Sequence, residues 1–285
     1  MTKARDIADS TKTLDVDGGT IKLDGNYPVG TANVALGDAA LDDGSLSGSY
    51  NTALGAASFG NLTSGTANLA VGAYAGQNHT TGSYNVFVGE EAAVGNTTGS
   101  SNTAVGRTAL YSNTTAPRNT AVGYQSLYAN TTGDNNTAIG EGSGKSNTTG
   151  HNNSFLGQDA GEANTTGQYN VAVGSDALQA NTTANNSTAV GFQAGYTGTT
   201  NADGTYVGYQ AGYSRTGSGN TCVGNYSGRD GTTGTDNTFV GRNSGYTITS
   251  GSKNTIIGMY NGTQGSVDIR TSSNNIVLSD GDGNP

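Results

Sequence analysis

Aliphatic side chains are scarce in this chain, and one repeating position always holds one. From residue 33 to residue 258 a phrase of the form Asn-Thr-Ala-Val-Gly returns with closing glycines at Gly37, Gly55, Gly72, Gly89 and so on to Gly258. The thirteen intervals between the fourteen glycines are 18 once, 16 once and 17 in the other eleven. The residue before each glycine is always Leu, Val or Ile, as in Val105, Val122, Ile139 and Leu156. Inside the phrase the alternation has period two: in Thr120-Ala121-Val122, Thr and Val share one face of a short strand and Ala lies on the other. A fixed period with almost no insertions is the mark of a repeat architecture, because loops of a globular domain drift in length.

The rest of each repeat gives the coil its thickness. Three residues after the glycine stands Ala or Ser, as in Ala109, Ser126 and Ala160, which predicts an interior with no space for larger groups. Ser126-Leu127 suggests a second strand, and Asn130-Thr131-Thr132-Gly133 a corner, where glycine supplies the bent backbone. Coils stacked at about 4.8 Å place like on like, so that Asn, Thr and Val form ladders, and fourteen of them extend on the order of 70 Å. The expectation is an all-β fold, a parallel β-solenoid of about fourteen 17-residue coils.

Composition supports a solenoid over a globule. Leu, Ile, Val and Phe make up about 15% of the 285 residues, too little for a conventional core. The net charge of −9, with Lys and Arg scattered, argues against nucleic-acid and membrane partners. No run approaches twenty apolar residues and the start, Met1 to Asp9, has no secretory signal, which predicts a chain made and left in the cytosol of the cell that makes it. The one cysteine, Cys222, occupies the slot of Ala104 and Ala121 and reads as a small apolar filler. The outward Thr and aliphatic row is an exposed stripe that a thin coil cannot cover. Closing it around a threefold axis predicts a homotrimer.

The phrase and its small-residue interior resemble the left-handed parallel β-roll of trimeric autotransporter adhesin heads, whose coils are shorter. The Asn-Thr-Thr-Gly returns, the polar opening segment Met1 to Gly30 and the closing passage Asn274 to Pro285 resemble phage tail fibres of the marine and cyanobacterial type. An autotransporter would need a signal peptide and a membrane β-barrel; a fibre needs neither. The resemblance implies a structural, non-enzymatic virion protein that provides reach and host-surface recognition. Residues 1–30 would be a connector to a phage tail or baseplate protein, 31–262 the repeat shaft or head, and 263–285 a terminal strand segment, with a further C-terminal domain possible in such fibres. A monomeric solenoid that binds ice or glycan on a flat face is the alternative.

Residues that carry chemistry point to binding. Asp159 and Asp176 share a slot in successive coils about 5 Å apart, a spacing a retaining glycosidase uses, yet any two carboxylates seventeen residues apart would share it. They read as solvated surface, as do Glu90 and Glu91. His79 and His151 lie in or beside Asn/Thr/Gly returns and read as solvated corners. The Asp280 to Gly283 run reads as a turn, lacking the context of a calcium loop. Asn96, Asn113, Asn130, Asn147, Asn164 and Asn181 match a glycosylation triplet but repeat because the coil repeats. No cofactor or metal is expected. The outward slots that vary carry Tyr124, Tyr128, Tyr209, Tyr213, Tyr226 and Tyr246, the candidates for receptor contact through aromatic stacking on a host-surface glycan or protein.

Overall fold

The computed structural model describes residues 14–16, 19–21 and 32–285. Within the segment read as a connector, β1 (Leu14–Val16) pairs antiparallel with β2 (Gly19–Ile21); the remainder of that reading lies outside the described residues. The chain divides into two compact units, residues 1–135 and 136–285. The protein is an all-β solenoid, with no helix among the described residues and fifteen three-residue strands belonging to its coils.

In the first unit these strands run from β3 (Val34–Leu36) to β8 (Thr120–Val122), in the second from β9 (Thr137–Ile139) to β17 (Ile276–Leu278). Within each unit each of these coil strands pairs in parallel with the next, equivalent position opposite equivalent position. Thr103, Ala104 and Val105 meet Thr120, Ala121 and Val122 in the first, and Thr221, Cys222 and Val223 meet Thr238, Phe239 and Val240 in the second. The strand centre is buried and its two neighbours are half exposed, so Ala121 is covered while Thr120 and Val122 face outward. The period-two reading of the phrase therefore holds, and the Ala or Ser three residues after the glycine is interior throughout, as at Ala109, Ser126 and Ala160.

The second strand anticipated at Ser126-Leu127 does not form. That segment is a run of tight turns, with Ser126 N–H donating to Gly123 O at 3.3 Å and Asn130 N–H to Leu127 O at 3.1 Å. Gln125 and Leu127 adopt left-handed backbone (φ 57° and 49°), and alternating handedness winds the chain too tightly to be extended. Bonds between coils persist: Leu110 N–H donates to Ser126 O at 2.9 Å and Gln125 N–H to Arg107 O at 3.3 Å. Each coil thus has one strand and one wound edge. Glycine is required where the strand enters that edge: Gly106 has φ 134°, and a Cβ there would stand 2.6 Å from the carbonyl oxygen of Gly123 in the next coil.

Two asparagine rows line the interior. In one, Asn119 N–H donates to Asn102 Oδ1 at 2.8 Å and Asn119 Nδ2 to Gly133 O at 2.9 Å. In the other, Asn130 Nδ2 donates to Asn113 Oδ1 at 3.0 Å and to Gly133 O at 2.9 Å. A buried amide left unpaired would cost about 1–3 kcal/mol, but among the described residues no buried side-chain nitrogen or oxygen lacks a partner. The ladders supply inside the coil the satisfaction that a hydrophobic core would make unnecessary.

The remaining interior volume is shared between two positions six residues apart, the strand centre and the fourth residue after the phrase glycine. Ala at the strand centre goes with Leu at the second position in Ala104 with Leu110, Ala121 with Leu127 and Ala172 with Leu178, all six buried, but with Phe in Ala53 and Phe59 and with Gly in Ala70 and Gly76, Ala138 and Gly144, and Ala189 and Gly195. Where the strand centre is Phe155 or Phe239 the second position is Gly, whereas beside Phe87 it is Ala93. A Cβ on Gly161 would lie 2.6 Å from the Phe155 ring, and one on Gly245 2.7 Å from Phe239. Tyr206 has the same pairing, lying between Gly195 and Gly212. A ring can serve two coils, as Tyr206 fills the space beside both Gly195 and Gly212 while Phe59 and Phe87 fill that beside Gly76, which keeps the interior close-packed.

Candidate functional site

The wound edge carries the variable side chains. Residues one, two and five places after the phrase glycine point away from the packed interior and form rows up each unit. In the second unit these rows hold Phe192 and Tyr209, then Gln193, Gln210 and Tyr226, then Tyr196, Tyr213, Arg229 and Tyr246.

The six tyrosines singled out by sequence do not form one group. Tyr124 and Tyr128 lie in the first unit, where Tyr128 stacks on Tyr111 (centroids 5.0 Å, 14°) and the Arg107 guanidinium stands 5.9 Å from the Tyr124 ring. The other four lie in the second unit, where Tyr213, Tyr226 and Tyr246 come together around a residue that the sequence reading did not name, Arg229. Its guanidinium carbon is 5.4 Å from the Tyr213 ring centre, 5.7 Å from that of Tyr226 and 5.6 Å from that of Tyr246. Its Nη1 donates to Tyr246 Oη at 3.0 Å and Asp230 Oδ1 at 2.8 Å, and its Nε to Gln210 Oε1 at 2.9 Å.

These contacts rank the tyrosines by what they have left to offer. Tyr213 has Tyr196 stacked on it (4.9 Å, 3°) as well as Arg229 beside it. Tyr209 lies against Phe192 (5.3 Å, 22°) and meets Tyr226 edge-on (5.3 Å, 86°). Tyr246 ends its row and lines a concavity of about 190 Å³ together with Asn243, Met259, Asn261 and Gln264. A row of aromatics at the fifth place after the glycine was the signal in the sequence; the arginine that interrupts it was readable as part of the same row.

The carboxylates behave as a surface group. Burial and the neighbouring charges of Glu162, Asp176 and Glu141 raise the Asp159 pKa above the ordinary carboxylate value, while Asp176 accepts a bond from Gln193 Nε2 at 3.3 Å. Glu90 pairs with Arg107 at 3.0 Å, both exposed. Among the described residues no three His, Cys, Asp or Glu side chains converge as metal ligands would. Asp280 closes its own turn, accepting from Asn284 N–H at 2.8 Å and Asp282 N–H at 3.0 Å.

His79 is the main correction. It is fully buried, where sequence suggested a solvated corner. It replaces asparagine in the second interior ladder: its Nε2 lies 2.9 Å from Gly82 O and its Nδ1 3.0 Å from Asn96 Nδ2, partners that fit a neutral ring protonated at Nε2. Phe59 and Phe87 flank it at 5.5 and 5.7 Å. Burial lowers its pKa below the usual histidine range. His151, by contrast, stays half exposed against Tyr169. Asn96, Asn113, Asn130, Asn147, Asn164 and Asn181 are likewise buried, so their amides are structural and closed to modification.

A second buried group was missed. Arg215 occupies the same ladder slot and is fully buried, with Nε on Gly228 O at 3.0 Å, Nη2 on Ile248 O at 3.3 Å and the guanidinium 4.7 Å from the Phe239 ring centre. A Cβ on Gly231, in the next coil, would stand 2.7 Å from Arg215 Nε. Cys222 lies free and buried nearby, and burial raises its thiol pKa, so it is the apolar filler anticipated. Comparisons with family models, curated proteins and solved structures found no match to this chain.

Proposed function

We propose that the chain is a structural tail-fibre or adhesion protein of a phage virion, non-enzymatic, self-associating as a homotrimer and meeting the host surface through its wound edges. The observation that carries this reading is the outward strand face. Val34, Leu36, Leu54, Ile139, Leu156, Val190, Val240 and Ile257 remain exposed along it although the interior is fully packed. Rows of exposed aliphatic groups within each unit are the pattern of a surface awaiting a partner, and identical rows on identical chains suit a closed symmetric assembly. The segment 1–30 would join a tail or baseplate protein, and a host glycan or protein would be the ligand.

Light scattering coupled to size exclusion tests the assembly against 28.5 kDa for one chain. A mass near three chains that falls to one in Val190→Asp with Val240→Asp supports the reading; a wild-type monomer overturns it.

The monomeric alternative draws on one observation. Turn threonines donate their hydroxyls along the stack, as Thr97 Oγ1 does to Thr114 O at 3.0 Å, whereas the strand threonines Thr103, Thr120 and Thr188 sit in the outward row. An ice-binding face would therefore be the strand face, and thermal hysteresis by a monomer would favour it.

A further inference from the structure

We propose that the concavity beside Tyr246 binds one ring of a neutral sugar. This rests on the host-surface reading above and names both the place and the ligand class. The regular coil departs furthest from its period near the end of the second unit: β16 (Thr255–Ile257) pairs with β17 at a separation of 21 residues, where the period is 17. From Met259 the chain stays on the wound edge as far as Asn261, with Gly245 N–H donating to Tyr260 O and Thr247 N–H to Asn261 O, both at 2.9 Å, and the extra residues follow. This leaves about 190 Å³ lined by Asn243, Tyr246, Met259, Asn261 and Gln264. At roughly 30 Å³ per water molecule this holds about six waters, the space of a single pyranose ring.

The lining has the chemistry such a ring needs and is set in place. Three carboxamides present paired donors and acceptors suited to neighbouring hydroxyls, and a phenol ring with a thioether suits the apolar C–H face of a sugar. Gln264 Oε1 accepts from Asn261 N–H at 2.9 Å and Gln264 Nε2 donates to Asp282 O at 3.1 Å, and Asn261 Oδ1 accepts from Thr263 N–H at 2.9 Å, so these two amides are fixed. Tyr246 is held by Arg229 at its hydroxyl and by the edge of Tyr226 at 6.1 Å. The Asn243 backbone is anchored by N–H donation to Asn225 O at 2.9 Å, while its side-chain amide makes no hydrogen bond among the described residues and is available.

No charged side chain lines the space. Of the nearby cations, Arg242 reaches Met259 Sδ at 3.5 Å and Arg229 is engaged by Asp230, Gln210 and Tyr246. The site therefore favours an uncharged hexose over an acidic sugar.

Saturation-transfer difference NMR on the full chain, with galactose, glucose, mannose and N-acetylglucosamine each in excess and N-acetylneuraminic acid as the charged comparison, tests this. The expected result is saturation of at least one neutral sugar with Kd in the ~millimolar range, as a shallow one-ring site allows. Asn243→Gly, which keeps the left-handed backbone of that position (φ 57°), should weaken binding at least about tenfold. Tyr246→Ala should abolish it, and Tyr124→Ala should leave it unchanged, with circular dichroism reporting the fold of each. Saturation of the acidic sugar alone, of no sugar, or of a neutral sugar equally in Asn243→Gly and wild type overturns the site. A trimer that adheres to host cells yet binds no sugar overturns this site alone; a monomer that binds the sugar overturns the fibre and leaves the site standing.

Discussion

The coils between Asn102 and Asn135 and those between Gly204 and Ile257 use one backbone plan and fill it in opposite ways. In the first stretch Ala104 with Leu110 and Ala121 with Leu127 share the interior, and the ladder slot beyond holds Asn113 and Asn130. In the second, Tyr206 and Phe239 project from the strand into space left by Gly212 and Gly245, and the ladder slot holds Arg215 and Ile248. Strand pairing stays in register in both. The period therefore belongs to the backbone hydrogen bonds and the asparagine rows, while identity belongs to the filling. In a chain of near-identical coils, pairs that fit only one neighbour also tell one register from the next.

The largest test of this contrast removes an aromatic filler. Phe239→Ala opens a hole whose wall already includes a glycine, and it strips the ring from beneath Arg215. A loss of about 3–5 kcal/mol is expected from such a truncation, read as a fall in thermal midpoint and in the denaturant midpoint of the second unit. A loss below about 1 kcal/mol would mean that the ladders alone hold these coils.

A swap asks whether the two fillings are interchangeable. Ala172→Phe overpacks a coil in which Leu178 is already buried, costing about 1–3 kcal/mol. Adding Leu178→Gly vacates that space and also relieves a left-handed residue (φ 50°). The double variant should recover at least half the loss, a coupling within the ~0.5–3 kcal/mol seen for touching residues. Additive losses would show that the Phe–Gly association is incidental.

Acid probes the first unit's own exception, His79. Its pKa is held below the ordinary 6.5 by burial, only partly opposed by its bonds to Gly82 and Asn96. As pH falls below that value the unfolded chain takes up the proton first. Stability contributed by the neutral ring is therefore full above the unfolded pKa and is lost as pH falls towards and through the lower folded one. Melting temperatures between neutral and mildly acidic pH should fall in the wild type and stay flatter in His79→Asn, which restores the residue of the neighbouring ladder. Equal slopes would place the titrating group elsewhere.

Much of this was legible in the chain and the rest was not, for identifiable reasons. The fixed period, the covered strand centre, the outward Val122 and the tight Ser126 interior follow from spacing and side-chain size, which a repeat exposes in every copy. The absence of a second strand at Ser126-Leu127 was hidden because ordinary L-residues there take left-handed backbone, which no propensity anticipates. His79 and Arg215 were hidden because a polar residue beside Asn/Thr/Gly looks like surface until the row it joins is known to be interior. The Phe–Gly pairing was present in the letters, as Phe155 with Gly161 and Phe239 with Gly245 though not at Phe87 with Ala93, but only a comparison across two positions reveals it. Of the six tyrosines, position in a variable slot identified the surface; stacking partners, which depend on the next coil, decided which of them remains open.

The smallest expected effect separates filling from decoration. Glu90 and Arg107 form an ion pair with both side chains 57% exposed, in the wound edge that varies most from coil to coil. Exposed pairs are screened by water and salt and lose side-chain entropy on forming, so Glu90→Gln should change stability by no more than about 0.5 kcal/mol. That small change should vanish in high salt, where the pair is screened in any case. The edge would then be free to change its charges and aromatics without loss of the coil beneath, as a recognition surface must be. A cost above about 1 kcal/mol, unaffected by salt, would mean that the edge rows brace the stack, and that the variable residues are constrained by stability before they are constrained by any ligand.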